Sequence, residues 1–215
     1  MDIIQKICIW AIPVLLAIIV HEVAHGYVAL KFGDKTAQMM GRLTLNPIKH
    51  IDPIGTILVP LVLLSISGMV FGWARPVPIN PNNLHHPRRD MVWVSLAGPL
   101  SNLVMAICWA LIAKGAMLTV KEGASFLVAL VYMAQAGIFI NVMLFILNMM
   151  PLPPLDGGKV ISNILPSRQA YYYDKLEHYG LIILLVLLAT GLLSRILSPF
   201  FYITVNLIFN AFGLS

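Results

Sequence analysis

Residues 1–35 read MDIIQKICIWAIPVLLAIIVHEVAHGYVALKFGDK. Apart from Gln5 and Lys6, residues 3–20 are apolar, and a lysine or arginine returns only at Lys31. A membrane-spanning helix needs about 20 predominantly apolar residues, so this stretch predicts a first transmembrane helix. It is longer than the apolar core of a signal peptide, and no small-residue cleavage site follows it. We therefore expect the helix to be retained in the mature protein.

The composition of the whole chain is that of an integral membrane protein. Of its 215 residues, 59% are hydrophobic and 11% are charged, whereas roughly 25% are charged in a soluble domain. The net charge of +5 would suggest a nucleic-acid partner in a soluble protein. Here the basic residues lie between apolar runs, which is the pattern that orients a membrane protein. We predict one membrane-embedded domain over residues 1–215, in contact with membrane lipid and without a nucleic-acid partner.

The apolar stretches predict an all-α, polytopic fold. Five of them reach or approach the length of a span, and these are residues 3–30, 54–72, 91–113, 125–150 and 179–193. A shorter run over residues 199–214 predicts either a sixth span or a partly interfacial helix. The fold class predicted from the sequence is therefore a bundle of five to six transmembrane helices.

The second stretch, residues 54–72, differs from the others. It is short, contains Pro60, and leads into FGWARPVPIN, in which Pro76 and Pro78 disfavour a helix. We predict an extended, re-entrant, β-like segment around residues 70–80. Backbone of this kind is tolerated at membrane depth only where protein or a water-filled cavity covers it.

The distribution of basic residues favours the re-entrant reading of residues 54–72. With that reading, ten of the 14 Lys and Arg residues fall on the cytoplasmic side. If residues 54–72 formed a full span, the asymmetry would vanish, contrary to the positive-inside rule. A full span that contains a proline remains the alternative.

The motif H-E-x-x-H occurs near the end of the first predicted span, as His21-Glu22-Val23-Ala24-His25. On a helix, residues i and i+4 share one face, so both imidazoles can bind one Zn²⁺ while Glu22 acts as a general base. The alternative is that the histidines pair with polar groups inside the bundle. Ionisable residues within membrane spans are rare and usually functional, which favours a metal site.

A catalytic zinc ion needs a third protein ligand and one open position. Asp156 is the candidate, because it follows the fourth apolar stretch in NMMPLPPLDGGKV, where prolines break the helix and Gly157 and Gly158 release the backbone. The alternative role for Asp156 is an N-cap. The histidines and Asp156 can meet at one depth only if the first and fourth stretches run in the same direction. That condition again favours a re-entrant path for residues 54–72.

Three motifs on successive spans, HEVAHG, SLAGPLSN and NMMPLPPLDGG, resemble the site-2 protease family of intramembrane zinc metalloproteases. The resemblance is to the short bacterial and archaeal members that lack PDZ and CBS domains. It implies that one Zn²⁺ per chain is bound by His21, His25 and Asp156. It implies also that Glu22 is the general base.

The resemblance gives roles to further residues. It implies that Asn148 positions the substrate or stabilises the oxyanion, and that Asn102 is a lesser candidate for packing or substrate contact. It implies also that FGWARPVPIN pairs as a strand with an unfolded substrate segment. The expected activity is hydrolysis of peptide bonds within or near transmembrane segments of membrane proteins. The expected site lies nearer the cytoplasmic side of a prokaryotic plasma membrane.

Two other functions remain open at the level of sequence. A zinc-binding membrane transporter could use His21, His25 and Asp156 as a transit site, but transport needs no base at Glu22. A pseudoprotease could bind membrane helices without cutting them, although the intact motif residues argue against that reading.

Overall fold

The computed structural model describes residues 3–59, 62, 72, 74–119 and 125–214, and no β-strand occurs among them. The chain is mostly helical, as its composition predicts. The α-helices are α1 (Ile3–Lys31), α2 (Thr36–Met39), α3 (Pro87–Thr119), α4 (Ser125–Asn148), α5 (Asp156–Ile164), α6 (Ser167–Asp174), α7 (Glu177–Ala189) and α8 (Leu192–Phe212). Short 3₁₀ turns at Pro47–His50 and Pro81–Asn83 and a π-helical turn at Pro53–Leu58 connect them.

Within this described part of the chain, four helices are long and apolar enough to cross a membrane: α1, α3, α4 and α8. The predicted number of five to six spans is therefore not confirmed. Of the predicted stretch 54–72, residues 60–61 and 63–71 lie outside the described residues.

The last two predicted stretches have different boundaries in the structure. Helix α7 has 13 residues, fewer than the about 20 that a span requires. Gly191 adopts a left-handed backbone with φ +72° and separates α7 from α8, so Leu192 and Leu193 begin the last helix instead of ending the previous one. As a result, the expected short run over residues 199–214 is part of a 21-residue helix.

Helices α1, α3 and α4 pack against one another, with α3 antiparallel to the other two. The His85 amide donates a hydrogen bond to the Phe32 carbonyl over 2.9 Å, so α3 begins at the end of the bundle where α1 stops. Small residues such as Ala106 and Ala110 allow close approach in the core between α3 and α4. Residues that follow α4 consequently emerge at the same end as the carboxyl terminus of α1.

Between α2 and α3, two parts of the chain that are far apart in sequence lie side by side. The Arg75 amide donates to the His50 carbonyl over 2.9 Å, which joins the two ends of the intervening stretch. Residues 74–80 form neither a helix nor a strand, and Asn80 has an extended backbone. The described part of the predicted β-like segment is thus irregular chain without strand pairing.

Candidate metal centre

Three potential metal ligands meet where α1 crosses the start of α5. His21 and His25 lie one turn apart on α1, and their Nε2 atoms are 3.1 Å and 3.2 Å from Asp156 Oδ2. The two Nε2 atoms are 3.0 Å apart. All three side chains are buried. Within the described ranges, these three residues are close enough together to hold a metal ion.

The hydrogen bonds of the two imidazoles fix which nitrogen can bind a metal. His21 Nδ1 lies 2.7 Å from Asn102 Oδ1, and His25 Nδ1 lies 2.6 Å from the Val94 carbonyl oxygen. Carbonyl oxygens only accept hydrogen bonds, so each neutral ring carries its proton on Nδ1. Each Nε2 therefore presents a lone pair to Asp156 Oδ2.

This convergence of lone pairs fits a bound cation. Asp156 Oδ2 is buried and has no hydrogen-bond partner among the described residues. Without a cation, two imidazole lone pairs and a carboxylate oxygen would repel one another across about 3 Å. Atoms bound to a tetrahedral zinc ion are on the order of 3.3 Å apart, and His and Asp are common zinc ligands. The donor set and its spacing therefore suit zinc.

A chain of buried amides holds His21 in this orientation. Asn102 Nδ2 donates to the Ala17 carbonyl and to Asn141 Oδ1, each over 3.0 Å, which leaves Asn102 Oδ1 facing His21. Asn141 Nδ2 in turn donates to the Gly137 carbonyl over 2.8 Å. Asn102 is fully buried and contacts the potential metal ligand His21, so the structure does not place it on a substrate surface. Asn141 was missed from the sequence, where its signal was a polar residue inside an apolar span.

The backbone of α3 forms one wall of the centre at Gly98. A Cβ atom added there would lie 2.3 Å from His25 Nε2 and 2.6 Å from His21 Cε1. Any larger residue would push the imidazoles aside. The glycine of SLAGPLSN thus lets α3 pass directly over both histidines.

The turn between α4 and α5 brings Asp156 to α1. A Cβ on Gly157 would lie 2.5 Å from the carbonyl oxygens of Met149 and Met150, and one on Gly158 would lie 2.5 Å from Pro153 N. Neither glycine has a positive φ. The two glycines are therefore required for close packing against the preceding turn, and not for backbone freedom as the sequence suggested.

Glu22 and Asn148 line the same cavity of about 420 Å³, together with the three potential ligands. Glu22 is partly exposed, and its Oε2 accepts a hydrogen bond from the Val77 amide over 2.8 Å. Asn148 Nδ2 donates to the Leu144 carbonyl of its own helix over 3.0 Å. At the same wall, Lys159 Nζ lies 3.6 Å from Asp156 Oδ1. Water, a carboxylate and amide groups can therefore meet beside a metal ion at this site.

Comparison with known proteins agrees with this chemistry. The model of peptidase family M50 matches residues 9–191. YwhC of Bacillus subtilis, provisionally named a zinc metalloprotease, is 43% identical over 189 residues, which cover 87% of this chain and 83% of YwhC. Rip2 of Mycolicibacterium smegmatis, with the same provisional name, is 30% identical over 84% of this chain and 66% of its own length. Rip2 of Mycobacterium tuberculosis is 27% identical over 94% of this chain and 73% of its own length. No solved structure matches the chain.

Proposed function

Because this chain belongs to peptidase family M50, the site-2 proteases, and is a zinc metalloprotease of the membrane, we propose that it cleaves peptide bonds within or near transmembrane segments of its protein substrates. The observation that carries this proposal is the position of the site. His21, Glu22 and His25 lie on α1, a helix with the length and hydropathy of a membrane span. Family membership also favours a peptidase over a zinc transporter or a non-catalytic helix-binding protein.

The proposed mechanism assigns one role to each polar side chain. His21, His25 and Asp156 would hold one Zn²⁺, with their Nε2 and Oδ2 atoms already converged. When bound, zinc would polarise the scissile carbonyl and acidify water. Glu22 would take a proton from the attacking water as its oxygen adds to the carbonyl carbon. As the C–N bond breaks, Glu22 would pass that proton to the leaving amine.

Asn148 would act on the substrate and not on the metal. Its side chain lines the cavity at the last residue of α4, eight residues before Asp156. In the resting structure its amide donates to Leu144 O. A rotation of the side chain would let the same N–H bind the developing oxyanion or a substrate carbonyl.

Residues 74–80 would receive the unwound substrate. A peptide bond inside a helix is shielded by the helix's own hydrogen bonds, so a substrate must be extended before it is cut. Ala74, Pro76, Val77 and Ile79 form one wall of the cavity next to Glu22. An extended peptide could add to this irregular chain through main-chain hydrogen bonds.

The proposed topology has a re-entrant stretch and a site nearer the cytoplasm. Two hydrogen bonds support it, from Arg75 N to His50 O and from His85 N to Phe32 O. Each bond joins a residue that precedes the stretch 54–72 to one that follows it, at the same end of the bundle. A single full crossing by this stretch is therefore disfavoured. Lysines and arginines gather at this end, as they do on the cytoplasmic side of a plasma-membrane protein.

A reconstituted cleavage assay tests the function. Purified full-length protein in liposomes is given a single-span substrate, and Glu22→Gln is compared with wild type. We expect Glu22→Gln to lose at least about 100-fold in rate, the scale of general-base catalysis, while it retains zinc. The matched control is Asp174→Asn, which removes an exposed carboxylate at the end of α6 and is expected to cleave normally. Equal cleavage by Glu22→Gln and wild type would contradict the assignment.

A further inference from the structure

Asp34 lies outside the metal centre but is completely buried, with 0% of its surface exposed. It follows α1 by three residues. Ionised carboxylates are almost never fully buried unless their oxygens are bonded. The position of Asp34 therefore depends on the groups that it binds.

Both oxygens of Asp34 accept hydrogen bonds, and two of the donors come from a distant part of the chain. Oδ1 accepts from Thr36 N over 3.0 Å, from Thr36 Oγ1, and from Asn83 Nδ2 over 3.0 Å. Oδ2 accepts from Asn80 N over 2.7 Å. One carboxylate thus ties the end of α1 to residues 80–83.

These bonds also keep Asp34 charged. Burial acts to raise the pKa of its carboxyl, but the hydrogen bonds from Thr36, Asn83 and Asn80 outweigh burial and hold the pKa below its usual range. A charged acceptor binds N–H donors about twice as strongly as a neutral one. The connection is therefore strong at neutral pH.

Residues 74–80 have few other backbone anchors, and the first of them is the hydrogen bond that the Arg75 amide donates to the His50 carbonyl. Pro76 and Pro78 lack an N–H, so they cannot donate a backbone hydrogen bond. Val77, between them, donates to Glu22 Oε2. Its side chain is buried against α1, where a Cβ added to Gly26 would lie 2.7 Å from Val77 Cγ1. Further along the chain, Ile79 packs against the buried cluster that includes Val94, and the Asn80 amide donates to Asp34.

We propose that Asp34 is a positioning residue, which fixes residues 74–80 along the cavity and thereby holds the Val77 amide against Glu22. Asp34 touches neither the potential metal ligands nor the cavity. It acts through Asn80 on the wall that would receive substrate, and through Val77 on the orientation of the general base. This inference rests on the proposed function of Glu22.

The first test compares Asp34→Ala with wild type in hydrogen exchange and cleavage. We expect faster amide exchange across residues 74–80, unchanged zinc content, and a loss on the order of 10- to 100-fold in kcat/KM, the scale of a 1 Å misplacement near a catalytic group. Asp174→Ala, the same change at an exposed position, is the control and should behave as wild type. Unchanged amide exchange across residues 74–80 would show that Asp34 does not hold this segment in place. Faster exchange with unchanged kcat/KM would show that holding the segment does not matter for catalysis, and would also overturn the proposal.

A rescue separates positioning from general loss of stability. Asn83 Nδ2 lies 3.2 Å from Thr36 Oγ1, so these two side chains are neighbours, and cysteines are placed at both positions to test whether a disulfide between them replaces the connection. Asp34→Ala is combined with Thr36→Cys and Asn83→Cys, after the exposed Cys8 and Cys108 are replaced by alanine. We expect oxidation to restore slow exchange and most of kcat/KM, and reduction to remove both. A crosslink that forms in full without rescue would overturn the proposal. Cleavage by Glu22→Gln would instead contradict the proposed function, whatever the exchange data show.

Discussion

At the scale of single residues, the centre depends on which atoms can approach one another. Gly98 allows the α3 backbone to lie directly against the rings of His21 and His25. The same two rings are held by acceptors at Nδ1, so they have little room to move aside. A single methyl group at position 98 would therefore displace the potential metal ligands themselves.

Gly98→Ala is predicted to disrupt the metal centre without removing a ligand. The added Cβ would stand 2.3 Å from His25 Nε2, so the imidazole must shift from the position that converges on Asp156. We expect a loss of zinc affinity of at least about 10-fold, as for other changes that misorient a ligand, measured by competition with a chromogenic chelator. Cleavage should fall in parallel.

Gly115→Ala is the control for this change, because it makes the same substitution in the same helix. A Cβ at Gly115 would meet none of the described residues within 4 Å, and alanine favours a helix over glycine. We expect unchanged zinc affinity in this variant. Equal zinc affinity in Gly98→Ala and Gly115→Ala would contradict the prediction. It would show that the α3 backbone can shift to accommodate the methyl group.

At the scale of the elements, three helices are linked by polar side chains inside an apolar bundle. Asn141 on α4 binds Asn102 on α3, and Asn102 binds both His21 and the Ala17 carbonyl on α1. Each amide has one orientation that satisfies all of its partners, because its oxygen only accepts and its nitrogen only donates. The packing of α3 and α4 thereby selects the tautomer of a side chain on α1.

Asn102→Leu is predicted to weaken zinc binding through this linkage. Leucine cannot accept the His21 Nδ1–H bond, so the ring loses the partner that fixes its proton and its orientation. Outer partners of metal ligands typically contribute about 10- to 100-fold to metal affinity, and we expect a loss in that range by chelator competition. Asn163→Leu, which removes an amide that donates to Lys159 O of its own helix, is the control. Wild-type affinity in Asn102→Leu would refute the linkage.

At the scale of the whole molecule, the ends of the connections define the topology. The bonds from His85 to Phe32 and from Arg75 to His50 place the start of α3 and residues 74–80 at the carboxyl end of α1. Helix α4 ends at that same level, since α5 begins with Asp156 beside His21. One end of the bundle thus carries the polar turns, most of the basic residues and the potential metal ligands.

Labelling in intact cells is predicted to place this end in the cytoplasm. In a variant without Cys8 and Cys108, a cysteine at Asn82 should react with a membrane-impermeant maleimide only after the cells are opened. A cysteine at Thr119, at the far end of α3, should react from outside and serves as the opposite control. Reaction at Asn82 from outside would make the connection before α3 a full crossing.

Local patterns in the sequence were sufficient to select most residues of the candidate site. The spacing of His21 and His25 places both on one helical face, since a helix repeats every 3.6 residues. Long apolar runs predicted α1, α3 and α4, because a span is defined by composition over about 20 residues. Asp156 was found because prolines and glycines mark the break in the helix before it. Each of these signals lies within a short window of chain.

Only the tertiary structure decided the remainder, because it depends on contacts between residues far apart in the chain. The bonds from His21 to Asn102, from Val77 to Glu22 and from Asn80 to Asp34 join residues 46 to 81 positions apart. No local pattern encodes such pairings. The sequence by itself therefore determined which groups could perform the chemistry. The packing of α3 and of residues 74–80 against α1 determined how those groups are oriented.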